Sequence, residues 1–107
     1  MNEKLPKPTR ALQKEYPAVW KSFQELGKQC HLAGPLDERV RRLIKVGIAT
    51  AAQSEGAVHS AVRNAKHAGI PPEEIRQAIL LAMTTIGFPR AMAALSWAKD
   101  ILKSRKK

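Results

Sequence analysis

Residues 54–80, SEGAVHSAVRNAKHAGIPPEEIRQAIL, decide the fold. Val58, Ala61, Val62, Ala65 and Ala68 recur at three- and four-residue steps, which places them on one side of a helix. Gly69 stands where a left-handed residue closes such a helix. Pro71-Pro72-Glu73-Glu74 then opens another. Proline in a first turn removes only a donor that the helix would leave orphaned, and two carboxylates meet the positive end of the macrodipole. The stripe of this second helix is Ile75, Ile79, Ala82, Met83 and Ile86.

The same punctuation extends outward. Upstream, Pro17 suits a first helical turn, and Val19, Phe23, Leu26 and Cys30 form a stripe in which Cys30 reads as a small buried hydrophobe. Gly34-Pro35 ends that helix, and Asp37 is a suitable N-cap for the next, whose stripe is Val40, Leu43, Ile44, Gly47, Ile48 and Ala51. Downstream, Gly87-Phe88-Pro89 breaks the chain before a last helix carrying Met92, Leu95, Ala98, Ile101 and Leu102. No stretch alternates with the period of a strand. The pattern predicts an all-α fold, a small helical bundle of about five to six helices in a single domain spanning 1–107. The basic ends, 1–16 and 103–107, are expected to be flexible.

Alanine occupies many expected contact positions: 57, 61, 65, 68, 78, 82, 91, 94 and 98. Such residues let helix axes approach but each buries little area, and the chain has only two Trp, one Tyr and two Phe. A homo-oligomer is therefore expected, joined through the alanine-rich helices, the one around Ile75–Ile86 and the last. The net charge of +10 invites a nucleic-acid reading, but eight of the nineteen basic residues (Lys4, Lys7, Arg10, Lys14, Lys103, Arg105, Lys106 and Lys107) lie in the two ends. The cluster Arg39, Arg41, Arg42 and Lys45 lies on a helix without interleaved aromatics, so specific nucleic-acid binding is not the expected role. No apolar run reaches the roughly 20 residues of a membrane span, and a soluble, cytoplasmic protein is expected. With one cysteine, Cys30, no internal disulfide forms.

From Gly34 to Leu102, the segments GPLDERVRRLIKVGIATAAQ and SEGAVHSAVRNAKHAGIPPEEIRQAILLAMTTIGFPRAMAALSWAKDIL resemble the carboxymuconolactone decarboxylase / alkyl hydroperoxide reductase D-like family. The likeness rests on Ala65 to Gly69, Pro72 to Ile75, and Gly87 to Pro89 followed by Ala91, Ala94 and Leu95. It implies that family's helical fold. Redox-active relatives carry C-x-x-C followed by x-x-x-H along the active-site helix; counted back from Gly69, those positions are Ser54, Ala57 and Ala61 here. A family glutamate falls on Arg42. Thiol peroxidase chemistry by that route has no thiol to use, so a peroxidase-related role would rest on family likeness alone.

Other groups remain. Glu55, His59 and Arg63 are spaced by four and line one side of a helix. Glu55 and His59 are the candidate catalytic pair, a carboxylate-oriented imidazole acting as general acid or base, with Arg63 and Ser54 as candidate substrate-binding residues for a small anionic or apolar ligand. The competing reading is a solvated polar stripe. His67 reads as a cation at a helix end, and His31 points away from Cys30. A metal needs three or four converging ligands, and only Glu55 and His59 have ligand spacing, so neither a metal nor another cofactor is expected.

Three functional readings follow. The first is an oligomeric, lyase-like member of the family, acting by proton transfer on a small acid or lactone, with His59 in a pocket. The second is a non-catalytic ligand-binding or structural oligomer in which the space around Ser54, Ala57 and Ala61 is filled or apolar. The third is a basic nucleic-acid-associated protein using Arg39, Arg41, Arg42 and Lys45.

Overall fold

Prolines and polar caps set where the helices begin. The computed structural model describes residues 6–102; of the ends expected to be flexible, 1–16 and 103–107, residues 1–5 and 103–107 lie outside the described residues. Among the described residues there are seven helices and no strand. They are α1 (Lys7–Glu15), α2 (Pro17–His31), α3 (Glu38–Ala52), α4 (Glu55–His67), α5 (Pro72–Leu80), α6 (Met83–Ile86) and α7 (Phe88–Leu102). No helix among them is long and apolar enough to cross a membrane. Contacts divide the chain into two units, Met1–Pro35 and Leu36–Lys107.

The first unit holds α1 and α2. Helix α1 lies within the stretch expected as a flexible end, and Pro8 in its first turn favours it. Neither helix has a buried residue. Trp20 and Phe23 lie near each other, with ring centroids 6.0 Å apart. The stripe expected to be core is exposed: Val19 at 55%, Phe23 at 61% and Leu26 at 61%. Cys30, expected to be buried with them, is exposed as a free thiol. Periodicity identified an apolar face correctly, but it cannot supply the surface that covers it.

The second unit has the hydrophobic core. Asp37 caps α3 as expected, its Oδ1 accepting from the Val40 N–H at 3.0 Å. Val46 and Ala49 of α3, Val58 and Val62 of α4, and Ile75 and Ile79 of α5 meet Ala94 and Ala98 of α7 in one buried cluster. Thr50 is buried among them, and its hydroxyl donates to the Val46 carbonyl at 2.9 Å. Of the alanines, 65, 91, 94 and 98 are buried, whereas Ala57 and Ala68 are exposed. Gly69 takes the expected left-handed conformation, φ +85°, at the end of α4.

The stripe read as one helix from Ile75 to Ile86 is two. The Ala82 N–H donates to the Ile79 carbonyl at 3.0 Å, and the Thr85 N–H to the Ala82 carbonyl at 2.9 Å. These are i→i−3 bonds, which tighten the turn and end α5 without a glycine or proline to mark the place. Ile79 lies at the centre of the cluster with no exposed surface. Ile79→Ala is expected to cost roughly 2–5 kcal/mol, read as a lower urea midpoint with an unchanged m-value.

Candidate functional site

Helix α4 begins with a polar cap and places its chemistry on one flank. The Ser54 hydroxyl accepts from the Ala57 N–H at 3.2 Å, satisfying one orphaned donor, and Glu55 sits in the first turn where a carboxylate is favoured. At about 100° per residue, Val58, Val62 and Ala65 form the buried stripe of α4. Ser54, Ala57 and Ala61 flank it on one side, Glu55 and His59 on the other, the two flanks being about 150° apart. The Glu55–His59–Arg63 stripe is therefore beside the core face rather than opposite it.

That placement brings α7 to His59. Ala94 and Ala98 of α7 are buried in the same cluster as Val58, Val62 and Ala65 of α4. Across this seam His59 Nε2 lies 2.9 Å from Asp100 Oδ2. A carboxylate only accepts, so the imidazole donates from Nε2–H, and in the neutral ring Nδ1 is left as an acceptor. Glu55 Oε2 is 4.0 Å from the same nitrogen, too far for a hydrogen bond but close enough to add its charge. The His59 side chain is 24% exposed, those of Asp100 and Glu55 53% and 59%. An ion pair so exposed contributes at most about 1 kcal/mol to folding. Farther along the seam, Lys66 Nζ donates to the Ile101 carbonyl at 3.2 Å.

A second contact fixes the approach to this site. Gln53, between α3 and α4, has φ 55°, a left-handed conformation that costs a side-chain-bearing residue energy. Its Nε2 donates to the Thr50 and Arg90 carbonyls, both at 2.9 Å, and so ties the start of α4 to the first turn of α7.

The structure thus brings two of the sequence candidates, Glu55 and His59, to one point and adds a third group, Asp100. Asp100 is 41 residues from His59, beyond any local spacing signal. Arg63 follows one turn after His59 and is half-buried. Ser54 is exposed, and its hydroxyl serves the helix cap. Ala57 is exposed and Ala61 packs against the core edge. An open apolar groove of about 410 Å³ is lined by Leu43, Ile44, Gly47, Ala78, Leu81 and Ile86 among others; Glu55, His59 and Asp100 do not line it. In the basic cluster, Arg39 pairs with Glu74, Arg42 lies 3.5 Å from Glu38, and Arg41 donates to the Leu36 carbonyl.

The all-α arrangement agrees with the sequence comparison. Residues 17–100 match the Carboxymuconolactone decarboxylase family, and the chain belongs to it. No curated protein matches the sequence. Because Ser54 caps α4, Ser54→Ala is expected to lower stability by about 1 kcal/mol in a denaturant titration.

Proposed function

We propose that this family member works by proton transfer rather than thiol chemistry, with His59 as the acid–base group on a small keto acid or lactone. The observation that carries the reading is the 2.9 Å contact between His59 Nε2 and Asp100 Oδ2. It orients the ring and selects the tautomer whose Nδ1 lone pair is free to accept a proton. Glu55 adds negative charge on the same side. Arg63, one turn along, is the proposed anchor for a substrate carboxylate, and Ser54 at the head of the helix is the weaker candidate because its oxygen is engaged.

In a lyase step of this kind, the C–C bond to a carboxylate breaks and its electron pair passes into a conjugated carbonyl as an enolate. CO2 departs, and the His59 imidazolium, protonated from solvent beforehand, gives its proton to the enolate carbon. Neutral His59 takes up another proton from water before the next turnover. No electron leaves the system, so Cys30 has no part in it. The measurement is CO2 release, together with C–H exchange in D2O followed by NMR, over a panel of small keto acids and lactones. His59→Ala is expected to lose about 10²–10⁴-fold in kcat. Asp100→Asn should also lower kcat, with KM little changed, and Cys30→Ala should behave as the parent. Turnover that survives both His59→Ala and Asp100→Asn would overturn the reading. A chain without turnover on any such substrate would instead fit a non-catalytic oligomer, a reading supported by the apolar Ala57 and Ala61.

The proposal includes a homo-oligomer. Leu80, Leu81, Phe88 and Met92, on α5, α7 and the turn after α5, are 47%, 70%, 63% and 43% exposed. Exposed large apolar side chains on these elements are the surface that association would cover. Leu81→Asp is expected to shift the particle to a smaller mass in light scattering while helicity by circular dichroism is retained.

A further inference from the structure

We propose that Glu55, His59 and Asp100 also form a binding site for a divalent transition-metal ion of the zinc class. Each residue offers one donor atom, and the three atoms lie within 4.8 Å of one another. Zinc holds imidazole nitrogen and carboxylate oxygen at about 2.0–2.2 Å, which on a tetrahedron separates donors by about 3.3 Å. His59 Nε2 is 2.9 Å from Asp100 Oδ2 and 4.0 Å from Glu55 Oε2, so the two spacings bracket that value. The Glu55 side chain is more than half exposed and can rotate inward to close its gap without disturbing the core.

The donor set selects the class of ion. One imidazole with two carboxylates suits zinc, cobalt, nickel or manganese; calcium and magnesium prefer oxygen alone, and copper(I) prefers sulfur. Two carboxylates balance the charge of a dication. Three protein ligands leave a fourth position, which the exposure of Glu55 and Asp100 opens to water. Rigidity comes from the packing beneath: Val58 precedes His59 and Ala98 lies two residues before Asp100, and both are buried in the same cluster. The ligands stand on two packed helices rather than on a loop.

Metal binding has a chemical consequence for the ring. With the metal absent, the proton of neutral His59 is on Nε2, directed at Asp100. An ion that takes the Nε2 lone pair requires that proton to move to Nδ1, through solvent and with no net change in charge on the ring. The lone pair proposed as the base is then gone. Metal occupancy and proton transfer by His59 are mutually exclusive, so the ion is an inhibitor. This consequence rests on the acid–base reading above; the binding itself does not.

The test is a titration of the full chain with Co2+, read by the visible absorption of tetrahedral cobalt, followed by displacement with Zn2+. One equivalent per chain is expected to saturate the signal. Glu55→Gln and Asp100→Asn should weaken binding by at least about tenfold, a loss that even outer-shell partners of a metal produce, and His59→Gln should abolish it. All three side chains are partly or largely exposed, and circular dichroism of each variant checks that the fold is kept. Cys30→Ser and His67→Gln should bind as the parent does. Absence of saturable binding, or binding that survives the three site substitutions, would overturn the proposal. Cobalt binding in a chain without turnover would leave the metal site standing and remove the acid–base reading. Turnover in a chain that binds no cobalt and is indifferent to Zn2+ would do the reverse.

Discussion

The close packing of α4 on α7 is the constraint on which the site depends. Val58, Val62 and Ala65 on one helix are buried with Ala94 and Ala98 on the other. Each alanine removes little area from water, so the seam gains less from its own burial than a leucine-lined one would. What small side chains permit is proximity, and groups on the two margins lie within hydrogen-bonding reach of each other. The His59–Asp100 and Lys66–Ile101 contacts both depend on that proximity. Gln53 holds the two helix starts together at the cost of a left-handed backbone, and its two carbonyl bonds offset that strain.

The two flanks of α4 have diverged chemically. On the side where redox-active relatives are expected to carry two thiols and a histidine, this chain has a capping serine and two alanines, at positions 54, 57 and 61. On the other side it has an imidazole between two carboxylates, one local and one from α7. Belonging to the family therefore accounts for the scaffold and leaves the reaction to be argued from the residues present. An acceptor-only partner at Nε2 orients the ring, and both the proposed acid–base role and the proposed metal site are argued from that contact.

Charge is also distributed by the fold in a way that composition conceals. The net +10 is large, yet Arg39 and Arg42 are paired with acidic residues of the same unit and Arg41 caps a carbonyl. Such pairing reduces the field that a bare cluster of four cations would project. Apolar surface is displaced in the opposite sense: Val19, Phe23 and Leu26 look like core residues in the sequence and are exposed in the first unit.

The sequence by itself determined the elements whose signals are local. The Asp37 cap, the left-handed Gly69, the proline start of α5 and the glycine break before α7 are each written in a few adjacent residues, because helix termini need a specific donor, acceptor or φ within one turn. The family likeness rests on the same local pieces in order. It also placed Glu55 and His59 on one side of a helix, since spacing alone fixes that. Tertiary structure decided the rest. The break between α5 and α6 has no marker residue and arises from tighter i→i−3 bonding. The partner of His59 is Asp100, which only the seam between α4 and α7 brings near. Which face of a stripe is covered, and by what, is a property of two surfaces meeting, and one helix carries only one of them.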